Sequence, residues 1–236
     1  MNKIKKTVAL SALLLSQPMS GFAAPTDNLF GVRGSVTVQG DFKSLSPDLG
    51  KFKWQIMDLT RTRDDSPDGL RFIGNLLYSQ VGYQINDQAS IWVGYAHGWI
   101  DPLNKPSYQE SRVYQDFVWN QKMGDFKFSS RTRLEERINQ TTGDTGYRSR
   151  QQLKVSYPLP ILKDLSAYVG DEVLAYVNRN KFGKQGFSEN RVLSGLSYQV
   201  TDKMGVDLGY MGQYVSNVSG NNLFTHNVQA NLTYKF

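Results

Sequence analysis

The sequence predicts an all-β fold, a transmembrane antiparallel up-and-down β-barrel, and three observations carry that expectation. Polar and apolar residues alternate with period two from about residue 29 to the C-terminus, with turn residues every 10 to 16 positions. The 236 residues include 13 Tyr, 12 Phe, 4 Trp and 21 Gly, yet the mean hydropathy is only −0.46. Beyond the N-terminal segment no run approaches the ~18 apolar residues that a membrane helix needs. Strands with one lipid face and one wet face account for a chain that is aromatic, glycine-rich and polar at once.

Met1 to Ala23 has the three parts of a secretory signal peptide. Lys3, Lys5 and Lys6 form the basic region, Val8 to Leu15 the apolar one, and Gly21-Phe22-Ala23 places small residues where a signal peptidase reads. Cleavage after Ala23 is expected, because a cut after Ala24 would put Pro25 beside the scissile bond. The expected organisation is therefore a signal peptide over 1–23 and one barrel domain over 24–236, with no linker between halves. Losing three lysines lowers the formal charge from +6 to +3. That bias is too weak for a nucleic-acid surface. Zero Cys excludes disulfides and thiolate metal sites, and two His leave little for a metal or catalytic cluster. No cofactor and no metal are expected.

Candidate strands lie near 30–40, 51–63, 70–85, 89–99, 109–121, 125–139, 146–158, 165–179, 187–200 and 204–217. The chain then ends on the clearest of them. Phe224, His226, Val228, Ala230, Leu232, Tyr234 and Phe236 share one face, and polar residues share the other. A terminal Phe with Tyr two positions earlier resembles the C-terminal signature of bacterial outer-membrane barrels. Asn86–Gln88, Met123–Asp125 and Thr201–Lys203 read as tight turns. Asp101–Tyr108, Gln140–Gly146, Asn180–Gly186 and Ser216–Asn222 read as longer loops at the other end.

Eleven segments conflict with the even strand numbers of single-chain bacterial barrels. Twelve strands are therefore expected, one segment hiding a turn, with ten as the alternative if 30–40 does not span. Segment 70–85 changes phase midway. Ile73 and Leu77 share a parity with Val81 and Ile85, while Leu70, Phe72 and Leu76 take the opposite one, which calls for a bulge or a missed turn.

Apolar parity assigns the outer face, and the opposite parity the lumen. Phe126, Phe128, Leu134 and Ile138 point out, so Lys127, Arg131, Arg133, Glu135 and Arg137 point in. The same rule places Arg112, Asp116, Arg148, Arg150, Lys154, Tyr168, Glu172, Tyr176, Glu189, Arg191 and Asp207 inside. Nine basic lumen residues face five acidic ones (Asp116, Glu135, Glu172, Glu189, Asp207), an excess of four concentrated on two adjacent strands. The arginines serve either as a salt-bridged filling or as an anion path, since guanidinium forks grip carboxylate or phosphate. Trp54, Tyr95, Trp99, Trp119, Tyr147, Tyr157, Tyr198, Tyr210 and Tyr234 take the outward parity, as an interfacial girdle requires. Asp171 is the exception on that face.

The fragments Asn86-Asp87-Gln88-Ala89-Ser90-Ile91-Trp92-Val93-Gly94-Tyr95, Arg131-Thr132-Arg133-Leu134-Glu135-Glu136-Arg137, Arg148-Ser149-Arg150, Asp171-Glu172-Val173 and Glu189-Asn190-Arg191 occur in a fixed order. Gly209-Tyr210, Tyr214 and His226 follow. In that order the chain resembles, over roughly residues 29–236, a bacterial family catalogued only as a domain of unknown function. The resemblance implies an outer-membrane-type barrel and no particular activity. The chain departs from it at Leu174-Ala175, where that family often carries aromatics. The interleaved arginines are more distantly similar to those of oligogalacturonate-specific porins, an analogy of design.

These readings converge on a monomeric barrel in the outer membrane of a Gram-negative cell, in contact with outer-membrane lipid. The expected function is a small-solute channel favouring anions. The alternatives are a closed structural barrel with partner-binding loops and, less favoured, a lipid-modifying enzyme. His97 and His226 with nearby Ser107, Ser111, Ser216 and Ser219 are the residues on which an enzyme would draw, yet no Gly-x-Ser-x-Gly elbow is present. Glu172 and Glu189 have the chemistry of an acid–base pair, but neighbouring arginines hold both ionised.

Overall fold

The computed structural model describes residues 25–103, 105–217 and 220–236. The signal peptide expected over residues 1–23 lies outside them. Eleven strands form one closed barrel in consecutive order: β1 (Thr26–Asp41), β2 (Phe52–Ser66), β3 (Gly69–Gln84), β4 (Ala89–Ile100), β5 (Tyr108–Met123), β6 (Phe126–Asn139), β7 (Thr145–Pro158), β8 (Leu165–Tyr176), β9 (Gly186–Gln199), β10 (Met204–Val215) and β11 (Asn222–Lys235). Every neighbouring pair is antiparallel except β1 and β11, which pair in parallel from Thr26↔Asn222 to Gln39↔Lys235.

This corrects both expected counts, twelve and ten. Eleven alternating strands leave the first and last pointing the same way, and a parallel ladder joins them without an extra strand. The first segment, doubted as a spanning strand, is a full stave. The seam keeps side-chain parity: Val32 faces Val228 and Val36 faces Leu232 on the outside, while Arg33 faces Gln229 within.

The phase change in β3 is a bulge. Arg61 pairs with Gly74 and Thr62 with Phe72, so Ile73 is the extra residue. Before it along the chain Leu70 and Phe72 point out, whereas after it Leu77, Val81 and Tyr83 do, and Leu76 is buried inside. Gly74 carries the bend at φ +155°, and a Cβ there would lie 2.7 Å from the Trp99 carbonyl oxygen. Near the same end the β1–β2 ladder stops at Arg33↔Arg61. Above that pair, side chains replace the ladder: the Val32 N–H donates to the Thr62 hydroxyl, and the Phe30 N–H to the Asp64 carboxylate.

Tight turns follow β3, β5 and β9, and longer connections follow β4, β6, β8 and β10 at the other end. Three connections break the pattern, one of them the six residues 159–164 between β7 and β8 at the tight-turn end. β2 and β3 join through Pro67-Asp68 at the long-loop end, and a short 3-10 turn, Pro47–Lys51, lies between β1 and β2 at the tight-turn end.

Outward aliphatics such as Val81, Val93, Leu134, Leu153, Val169 and Leu208 form an exposed apolar belt. Phe52, Tyr83, Phe126, Tyr157, Tyr198 and Tyr234 border it at the tight-turn end, and Phe30, Phe72, Trp99, Tyr147 and Phe187 at the long-loop end. Inside, β2 to β5 contribute a small apolar wall of Leu76, Tyr78, Ala96 and Tyr114, with Met57 and Leu59 packed on it.

The bulge yields a test. Gly74→Val must push Trp99 or Arg61 aside and force a branched residue into the glycine conformation, at a cost of about 2–3 kcal/mol. Denaturant unfolding of the purified barrel checks it, and a cost below about 0.5 kcal/mol would show that the bulge relaxes freely.

Candidate functional site: an arginine-lined lumen

The strand register assembles the lumen network. On β5 and β6, Arg112 stands opposite Arg137, Tyr114 opposite Glu135, and Asp116 opposite Arg133. On β6 and β7, Glu135 stands opposite Arg148, and Arg133 opposite Arg150. Glu172 of β8 faces Gln152 on one side and Arg191 on the other. Each carboxylate thus has guanidinium groups on neighbouring strands at reachable height, because alternate residues of every stave point inward.

Five carboxylates collect seven arginines. Glu110 accepts from Arg112 Nε at 2.6 Å and from Arg137 through Nε at 2.6 Å and Nη2 at 2.8 Å. Arg133 grips Asp116 with two bonds of 2.6 and 2.7 Å, the fork geometry of the strong bidentate pair. Glu135 is shared by Arg148 and Arg150. Glu172 is the hub, accepting from Arg131 at 2.8 Å, Arg150 at 2.7 Å and Arg191 at 3.0 Å. Glu189 takes the Arg191 Nε and the Gln213 amide. Aromatic rings flank the cations: Arg133 lies 3.8 Å from the Tyr114 centroid, and Arg137 4.4 Å from that of Phe182.

Three cavities lie along the lumen. One of about 240 Å³ sits at mid-height, walled by Arg33, Arg61, Arg131, Tyr78 and Met211 among others. A second, of about 330 Å³, lies under the long loops beside Lys105, Arg137, Arg148, Lys181 and Phe182. The third, of about 890 Å³, occupies the tight-turn end between Lys127, Asp207 and Lys235.

Arg112, Arg131, Arg133, Arg137, Arg148, Arg150 and Arg191 lie in the lumen with Asp116, Glu135, Glu172 and Glu189, as parity placed them. Lys154 points inward but is ion-paired to no carboxylate among the described residues; its ammonium lies 3.9 Å from the Tyr168 ring centroid. Asp207 stands apart from the arginine network, on the wall of the tight-turn cavity.

Several lumen charges escaped the sequence reading, among them Arg63, Arg71 and the Asp65 they share near the long-loop end. Glu110, fully buried, shares the parity of Arg112 and Asp116 and was legible from them. Arg33 lay in the doubted first segment. Arg61 was hidden because β2 turns apolar Met57 and Leu59 inward and Asp58 outward, which blurs the parity rule. Arg33 and Arg61 with Glu110, and Arg63 and Arg71 with Asp65, raise the lumen excess from four to six.

Polar groups on the outer face are matched across strands. Asp171 accepts from Asn190 Nδ2 at 2.9 Å, and Asp58 from Asn75 Nδ2 at 2.9 and 3.0 Å. His97 on β4 and His226 on β11 are not brought together. The Tyr95 hydroxyl lies 3.5 Å from His97 Nδ1 and 2.9 Å from the Ser111 hydroxyl, which places a tyrosine between that histidine and the nearest candidate nucleophile.

Over the long-loop end the β6–β7 and β8–β9 connections are tied by Lys181 and Asp144, 3.1 Å apart. The Thr142 hydroxyl, then Lys181, hold the Asp144 carboxyl below its ordinary 3.8. A depressed carboxylate stabilises above its unfolded value and loses that contribution as pH falls through the folded one. The loop tie is therefore present at neutral pH and lost below about 3.8. Hydrogen exchange at residues 140–144 is expected to quicken over that acid range, and Asp144→Asn to abolish the pH dependence. Removing the hub is the harsher test. Glu172→Gln strips three guanidinium groups of their shared carboxylate and is expected to cost about 3–5 kcal/mol in denaturant unfolding. A loss under about 1 kcal/mol would show that water already screens these pairs.

The comparisons with known proteins give a family and no activity. An uncharacterized protein of Methylorubrum extorquens is 31% identical over 172 residues, covering 68% of this chain and 72% of that protein. No solved structure matches the chain. The model of the family described as "Protein of unknown function (DUF2490)" matches residues 30–224. The matched span runs from the parallel seam strand β1 through every lumen carboxylate into β11, and the chain belongs to the DUF2490 family.

Proposed function

We propose that this protein is an outer-membrane barrel whose arginine-lined lumen passes small anions. The observation that carries the reading is the charge imbalance of the interior: guanidinium groups outnumber carboxylates along a lumen that holds cavities at three heights. A surplus of fixed positive charge in a narrow, low-dielectric passage concentrates anions and repels cations. The outward apolar belt between two aromatic borders, with its few polar members paired across strands, supports residence in a bilayer. The export signal in the sequence supports the outer membrane as its destination. The protein works as a monomer in contact with outer-membrane lipid.

The ion-paired layer sets the scale of the flow. Arg133, Arg148, Arg150, Glu135 and Glu172 are each 2–6% exposed, so solutes pass a tight constriction rather than an open porin channel. That same tightness favours a second reading, a closed barrel in which the paired charges are simply the filling. Single-channel recording in a planar bilayer under a salt gradient separates the two. Small, discrete, anion-preferring steps are expected, and Arg133→Gln with Arg150→Gln should reduce the preference. A barrel that is folded and membrane-inserted yet silent would overturn the channel.

A further inference from the structure

Four pairs of arginines face each other directly across neighbouring strands inside the barrel: Arg112 with Arg137, Arg133 with Arg150, Arg63 with Arg71, and Arg33 with Arg61. Like charges in direct cross-strand register destabilise a sheet unless an opposite charge lies between or beside them. The first pair has Glu110, bonded to both members. The second has Asp116 on Arg133, and Glu135 with Glu172 on Arg150. The third, Arg63 with Arg71, shares Asp65. Arg33 and Arg61 form no ion pair with any described carboxylate. Arg33 is 7% exposed, and its one side-chain bond is a long 3.4 Å contact from Nη1 to the Gln213 amide oxygen. The Nε atoms of Arg33, Arg61 and Arg131 are all buried without a hydrogen-bond partner among the described residues. These three side chains line the same mid-lumen cavity of about 240 Å³.

We propose that Arg33 and Arg61, with Arg131 across the cavity, form a binding site for a small oxyanion carrying two negative charges, such as a dicarboxylate or phosphate. The three ion-paired arginine sets show what such forks do in this barrel: each closes on carboxylate oxygens. An external oxyanion supplies the Arg33–Arg61 pair with the same partner and satisfies donors whose burial is otherwise costly. Two facing guanidinium groups match a dianion better than a halide, because each fork offers parallel N–H bonds to two oxygens. The cavity volume equals that of about eight waters at about 30 Å³ each, room for a four-carbon dicarboxylate or a hydrated phosphate. The site rests on the proposed anion-admitting lumen only for access.

Titration calorimetry of the detergent-folded barrel with succinate, and separately with inorganic phosphate, tests the site without any conductance measurement. One saturable site per barrel is expected for at least one probe, with chloride unable to compete at equal concentration. The double variant Arg33→Gln, Arg61→Gln should bind at least tenfold more weakly, and Lys43→Gln on an exposed turn should bind as the parent does. Because the double variant removes two facing charges, it is expected to unfold at a higher temperature than the anion-free parent. That result would also show that weak binding is not a folding defect. No saturable binding of either probe by the folded parent would overturn the site, and so would binding that survives the double variant. Saturable binding by a barrel that is silent in the bilayer would sustain the site and sink only the channel.

Discussion

A barrel of eleven alternating strands can close only if its first and last strands run side by side in the same direction, and that constraint shapes the rest of the molecule. The parallel β1–β11 ladder is long, from Thr26↔Asn222 to Gln39↔Lys235, which offsets the slightly weaker bonding of parallel pairs. Its register must also be even in side-chain parity. A one-residue slip would turn Val32, Val36 and Val38 inward and aim Arg33 at the apolar belt. The seam therefore fixes not only closure but the presence of Arg33 in the lumen, beside Arg61.

Once the wall is closed, the interior is narrow enough that charges must be answered by charges. The answer is uneven around the barrel. β5 to β9 supply a continuous lattice in which five carboxylates are each shared among guanidinium groups or gripped by a bidentate fork. The β2–β5 side is lined instead by Leu76, Tyr78 and Tyr114. Arg33 and Arg61 line the cavity beside this apolar wall, and neither is ion-paired to a described carboxylate. The lumen is thus polarised across its width as well as positively charged along its length.

Much of this was legible in the alternation of the chain. Strands β5 to β11 obey it so strictly that the inward residues of the lattice could be assigned one by one, and Glu110 was recoverable from Arg112 two positions away. Alternation fails where a strand puts apolar residues on both faces. β2 does so with Ile56 outside and Met57 and Leu59 inside, and β3 inserts Ile73 at a bulge. Strand number was lost for a different reason. The segments themselves count eleven, but strand direction at the seam depends on which edges meet, and no local pattern encodes a parallel closure. The cross-strand pairing of arginines is equally invisible, since it depends on register between staves rather than on spacing within one.

Parallel closure has a consequence for the ends of the chain. Pro25 bonds the Asn222 N–H at the long-loop end, while Phe236 bonds the Gln39 carbonyl at the tight-turn end. An even-stranded barrel returns its last strand to the level where its first began, so both termini share a compartment. Here a segment attached before residue 25 and one attached after residue 236 emerge from opposite mouths. In a membrane the two ends of this polypeptide would report on different sides of it, and the seam would have to zip with one terminus already carried across.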